Sequence, residues 1–164
     1  MMIDKINWIY TEYIAKNKNF KFLCPTEIWQ SDESSQFKTF KNYVLSSYYV
    51  RNKYIHGGVG IWSHSDLKVK PIILNQFCID KDIEICGTSF TDSTGINHVI
   101  LTCYRSPNGN LHIFCENIES ILNNLWNPNN NIILAGDFNL DPVRDSKQYK
   151  SFKRSFDLFN LKNI

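Results

Sequence analysis

Ile132-Ile133-Leu134-Ala135-Gly136-Asp137-Phe138-Asn139 is the stretch on which the reading of the fold turns. Its first five residues form an unbroken run of apolar and small side chains. Such runs mark strands covered on both faces, as in sheets packed between other layers. Before it, residues 112–126 carry Ile118, Ile121, Leu122 and Leu125 on one stripe, the pattern of an amphipathic helix. Asn127-Pro128-Asn129-Asn130 terminates that helix, because proline cannot continue the hydrogen-bond ladder. After the run, Asp145 with Gln148 three positions on has the form of a capping box. Tyr149, Phe152, Phe156 and Phe159 then line the apolar face of a last helix.

Toward the N-terminus the patterning becomes that of strands. Residues 98–104 read as one strand, and residues 76–79 and 83–89, split by Asp80-Lys81-Asp82, as a hairpin or bent pair. Gly57-Gly58-Val59-Gly60-Ile61-Trp62 is a turn entering a strand, and residues 43–50, rich in aromatic and β-branched side chains, are another. Ser31-Asp32-Glu33-Ser34-Ser35 is a polar loop. Residues 20–24 form a short strand stopped by Pro25, and residues 3–19 place Ile3, Ile6, Tyr10, Tyr13 and Ile14 at helical spacing. No repeat or linker interrupts the chain, so residues 1–164 read as a single domain. Strands and helices in this order imply sheets flanked by helices, an α/β or α+β sandwich.

Composition narrows the function classes. Lys and Arg number 18 against 16 Asp and Glu, a net charge of +2, which excludes a polybasic arm and an acidic tail. Hydrophobic residues make up 43% and aromatics 14%, enough for a packed core and incompatible with compositional disorder. No segment approaches the roughly 18 consecutive apolar residues that cross a bilayer, and the N-terminus lacks the order of a secretory signal. No membrane role and an intracellular setting are the expectation. The 5 cysteines are odd in number and contain no Cys-x-x-Cys, so buried free thiols are expected rather than a disulfide framework or a zinc ribbon.

Three polar words close predicted strands. In Gly136-Asp137-Phe138-Asn139, period-two alternation on an extended strand end would point Asp137 and Asn139 the same way, one anion beside one amide, suited to orienting a water. An ordinary strand-to-loop turn also favours Asp and Asn. Glu27, in Pro25-Thr26-Glu27-Ile28-Trp29, can serve a divalent cation at the mouth of a sheet, or be a solvated loop glutamate. Tyr104-Arg105-Ser106-Pro107 sets a guanidinium beside a phenol, a pair suited to a phosphate, or forms a plain strand terminus before a turn. Tyr48-Tyr49-Val50-Arg51-Asn52-Lys53-Tyr54 interleaves aromatics with positive charge, able to grip a nucleic-acid backbone, although a strand pair with a basic turn is the reading we favour. His112 and Cys115 lie three apart on the helix, but no second pair completes a soft metal site.

Taken in order, four words resemble the endonuclease/exonuclease/phosphatase superfamily, and within it the endonuclease domain of insect LINE-type (non-LTR) retrotransposons. They are Leu23-Cys24-Pro25-Thr26-Glu27-Ile28-Trp29, Gly57-Gly58-Val59-Gly60-Ile61, Tyr104-Arg105-Ser106-Pro107-Asn108-Gly109-Asn110 and Gly136-Asp137-Phe138-Asn139-Leu140-Asp141. The resemblance implies a partial four-layer α/β sandwich, two sheets flanked by helices, that hydrolyses DNA phosphodiesters with Mg²⁺ or Mn²⁺. It implies that Glu27 binds the metal, Asp137 activates water, Asn139 holds the phosphate, Tyr104 faces the scissile phosphate and Arg105 binds phosphate. It also implies DNA as partner, a reverse transcriptase domain of the same polyprotein, and a nuclear setting when chromosomal DNA is the target. Other branches of the superfamily act on phosphomonoesters or phospholipid headgroups, so a phosphatase or phosphodiesterase is an alternative.

The chain departs from the family pattern at both ends. The family opens with a strand ending in a metal-site asparagine and closes with a Ser-Asp-His word, and neither is present. The histidines are His56, His64, His98 and His112, and Ser65-Asp66 is followed by Leu67. An interior slice of the domain is expected, cleaving poorly and exposing sheet edges that promote aggregation. A non-catalytic retroelement remnant with residual nucleic-acid binding is the other alternative.

Overall fold

The computed structural model describes residues 20–29, 39–52, 56–141 and 147–162. It is a mixed α/β arrangement of two four-stranded sheets and, among the described residues, two α-helices. The first sheet contains β1 (Phe22–Leu23), β2 (Thr39–Phe40), β3 (Tyr43–Tyr49) and β4 (Val59–His64), in the order β1-β4-β3-β2, all antiparallel. The second contains β5 (Lys70–Ile72), β6 (Glu84–Thr91), β7 (Asn97–Tyr104) and β8 (Asn130–Asp137), in sequence order. Its β5–β6 and β6–β7 pairs are antiparallel and β7–β8 is parallel. A parallel pair needs a long crossover, here supplied by helix α1 (Leu111–Leu125). Helix α2 (Lys147–Asp157) follows.

Alternation along the strands builds two cores from the second sheet. Val99, Leu101 and Cys103 of β7 join Ile85 of β6 in facing Phe114, Ile118, Ile121 and Leu122 of α1. Ile100 and Tyr104 of β7 join Cys86 of β6 in facing Tyr49, Val59 and Ile61 of the first sheet. A third cluster, Ile28, Tyr43 and Trp62, occupies the other face of the first sheet. The helix expected over residues 3–19 lies outside the described residues, so the layers described are helices, second sheet and first sheet.

One expectation is corrected. The run Ile132-Ile133-Leu134-Ala135 is not covered on both faces: Ile132 and Leu134 pack on the core, but Ile133 is 46% exposed. The reason is position, since β8 is the last strand of its sheet and the first sheet packs over β6 and β7. The strands buried on both faces are β4, β6 and β7, whose residues 59–63, 84–88 and 99–104 are all buried. The expected strand over residues 76–79 is instead a 3-10 turn at Asn75–Phe77 and a tight turn closed by the Ile79–Ile83 bridge. The neighbour of β6 on that side is β5, whose Pro71 sits at the sheet edge, where a missing N–H is tolerated.

Helix α1 starts where Asn110 caps it, its Oδ1 accepting from the amides of His112 (2.9 Å) and Ile113 (3.3 Å). It stops as expected before Pro128. Phe152 and Phe156 of α2 pack on Phe138 and the α1 core, and Ser155 Oγ donates to Glu119 Oε1 of α1 at 2.5 Å. The cap expected at Asp145 lies outside the described residues. All five cysteines are free, and burial raises the thiol pKa values of Cys86 and Cys103 well above the ordinary range. Among the described residues no helix is long and apolar enough to cross a membrane.

Candidate functional site

The ends of β7 and β8 and the beginnings of β4 and β6 lie along one rim. Tyr104 is opposite Asp137 in the parallel β7–β8 register and opposite Glu84 in the β6–β7 register. Segment 25–29 runs beside β4, through the Thr26–Val59 bridge and the bonds Ile28 N to Gly58 O (3.3 Å) and Trp29 N to Gly57 O (2.9 Å). Ile28 is wholly buried, while Glu27 and Trp29 on either side adopt left-handed backbones, with φ of 53° and 48°. Non-glycine residues occupy that region at a cost, and such outliers cluster at functional sites.

The Tyr104 hydroxyl donates to Glu27 Oε1 at 2.7 Å, joining two residues 77 positions apart. Burial, and then this bond, push the Tyr104 phenol up to about 12, so it keeps its proton at neutral pH. Asp137 is exposed one strand over, about 4.8 Å between backbones. Gly136 makes that approach possible, because a Cβ there would overlap the Cys103 carbonyl oxygen. Its φ of 151° also lies where side chains are disfavoured.

Asn139 does not continue the strand as expected. It takes a left-handed backbone with φ of 48°, and its amide donates to Asp137 Oδ1 at 3.0 Å, which closes a turn. The two residues are joined through the Asn139 backbone amide, not by side chains brought together through period-two alternation. The Asn139 Nδ2 donates back to the Arg105 carbonyl at 2.7 Å.

Arg105 is turned inward, 4% exposed. Its guanidinium donates to the carbonyls of Phe138 (2.9 Å), Asn139 (2.9 Å) and Gly109 (2.6 Å). What it does in this geometry is clamp the turn that carries Asp137 and Asn139. Within residues 48–54, Arg51 is likewise directed inward and paired to Glu84, and Tyr49 donates to Asp80 at 2.7 Å, while Lys53 and Tyr54 lie outside the described residues.

The structure therefore brings Glu27, Tyr104, Asp137 and Asn139 to one rim, with Arg105 beneath. Glu27 and Asp137 offer hard carboxylate oxygens, the donor type that Mg²⁺ or Mn²⁺ takes alongside water and phosphate. Among the described residues no three His, Cys, Asp or Glu side chains form a ready-made metal cluster. Sequence reasoning missed Glu84 and its pairing with Arg51, and a charge inside the apolar Ile83-Glu84-Ile85-Cys86 was the available signal. His98 pairs with Asp92 at 2.8 Å, but at the opposite end of β7, about 20 Å from Tyr104 along the strand. Among known proteins, no family model and no curated sequence matches this chain.

Proposed function

We propose that the rim carries divalent-metal-dependent hydrolysis of DNA phosphodiesters, in a domain of the endonuclease/exonuclease/phosphatase type most like those of LINE-type retrotransposons. The observation that carries this reading is the Tyr104–Glu27 hydrogen bond standing beside Asp137. Glu27, with Asp137 near it, would hold Mg²⁺ or Mn²⁺. When bound, the cation polarises phosphate oxygens and stabilises the charge that develops on them. Asp137 accepts a proton from the attacking water, and Asn139 sets the orientation of Asp137 through its amide. Tyr104 orients the Glu27 carboxylate and presents a neutral phenol toward the phosphate. Arg105 keeps the 137–139 turn rigid. DNA is the substrate, a reverse transcriptase domain the polyprotein partner, and the nucleus the place of action on chromosomal targets.

Supercoiled plasmid tests this directly. Slow nicking with Mg²⁺ or Mn²⁺ is expected, stopped by chelation and reduced about 100-fold or more by Asp137→Ala. Nicking that is indifferent to chelator, or that survives in Asp137→Ala, would overturn the assignment. A second reading, a non-catalytic nucleic-acid-binding remnant, is favoured by one observation: the Arg105 guanidinium is taken up by the carbonyls of Phe138, Asn139 and Gly109. Retention of DNA without any nicking by the wild-type chain would decide for it.

A further inference from the structure

We propose that Arg51 and Glu84 form a buried ion pair whose task is to hold Glu27 against Tyr104, and are thereby positioning residues for the reaction proposed above. The inference rests on the reading of that rim as the reactive site. Glu84 is 0% exposed, where an uncompensated carboxylate would be strongly disfavoured. Its oxygens accept from Arg51 Nε (2.6 Å) and Nη2, from Gly58 N (2.6 Å) and from Lys81 N (3.1 Å). Each donor belongs to a segment that holds one part of the rim.

Gly58 leads to Glu27. The carbonyls of Gly58 and Gly57 receive the amides of Ile28 and Trp29, so anchoring Gly58 on Glu84 anchors the strained segment that carries Glu27. Gly57 has φ of 111°, and a Cβ there would collide with the Arg51 guanidinium, so glycine is what admits the cation. Lys81 and Arg51 lead to Tyr104. The Lys81 carbonyl receives the Ser106 amide at 2.9 Å, and Arg51 Nη2 donates to Ser106 Oγ at 2.8 Å. The guanidinium carbon also lies 5.9 Å from the centre of the Tyr104 ring. Both ends of the Glu27–Tyr104 bond therefore trace to one carboxylate. Apolar residues of similar volume would stabilise such a core equally well, so what the ion pair adds is direction.

The test reads that bond without using hydrolysis. The chain is labelled with tyrosine carrying ¹³C at Cζ, the Tyr104 resonance is assigned with Tyr104→Phe, and Glu27→Ala gives its position when the carboxylate is lost. In folded Glu84→Gln and Arg51→Met, the Tyr104 resonance is expected to move most of the way to the Glu27→Ala position, with Arg51→Lys recovering part of the wild-type value. The double variant Arg51→Met/Glu84→Leu removes both charges while keeping the core filled. It is expected to fold and still show the displaced resonance, which separates positioning from stability. A wild-type Tyr104 resonance in that double variant overturns the proposal. Plasmid nicking on the same samples keeps the two readings apart. A displaced resonance in variants of a chain that never nicks supports the positioning role and fails the nuclease reading. Nicking with an undisplaced resonance does the reverse.

Discussion

Gly136 and Asp92 show how single residues set the limits of this molecule. At Gly136 the backbone of β8 presses on that of β7, and even a methyl group would occupy the place of the Cys103 carbonyl oxygen. Gly136→Ala should therefore lower stability by about 3 kcal/mol or more, because backbone, unlike a side-chain tip, cannot move aside cheaply. Urea denaturation checks this, and a loss below about 1 kcal/mol would show that the strands can part. Asp92 accepts from Thr94 Oγ1 (2.6 Å), from the amides of Thr94 (2.8 Å) and Ile96 (3.1 Å), and pairs with His98. Those bonds, led by the Thr94 hydroxyl, hold its carboxyl well below the usual carboxylate range. A carboxyl depressed in the folded state contributes stability that is complete above its unfolded pKa, about 3.9, and is lost as pH falls below that value. The thermal advantage of wild type over Asp92→Asn should shrink progressively below about pH 4. An advantage that stays constant in acid would contradict the assignment.

At the scale of elements, the contrast between β7 and β8 is testable by substitution. Ile133→Thr should change stability by no more than about 0.5 kcal/mol, since its side chain is 46% exposed. Leu101→Ala, at a site with no exposure, should cost about 2–5 kcal/mol. Equal losses at the two positions would restore the picture of a doubly covered β8. Much of the element order was legible because periodicity survives packing. The stripe of Ile118, Ile121, Leu122 and Leu125 pointed to α1, the aromatic and β-branched content of residues 43–50 to β3, and the glycine turn at residues 57–60 to β4. Which strand lies at the centre was not legible, because a run such as Ile132-Ile133-Leu134 reads alike at an edge and in the middle. Sheet order depends on pairings between distant residues, such as Phe22 with Ser63, that one sequence does not display. The site was legible in its residue types and only partly in its geometry. Asn tolerates a left-handed backbone, so Asn139 could leave the strand and defeat the alternation argument. Nothing local in Tyr104-Arg105-Ser106-Pro107 shows that the guanidinium closes on carbonyls 33 and 34 residues away.

Across the whole molecule, both outer strands of the second sheet lack a further strand among the described residues. Edges of this kind pair with other chains unless charged or twisted away. Ile133→Lys places a charge on the exposed face of β8, where little packing is lost. It should reduce self-association in light scattering while leaving the melting temperature within a few degrees, and unchanged scattering would mean that other surfaces drive association. The depth of the thiols has its own consequence. Cys86 and Cys103 lie in the two cores on opposite faces of the second sheet, and disulfide reagents attack only thiolates they can reach. Their labelling in native buffer therefore waits on opening of the structure, so its rate is a clock for how often each interface comes apart. If Cys103 is modified well before Cys86, the helical layer peels away first; equal rates would mean that the sheets and helices part in one cooperative event.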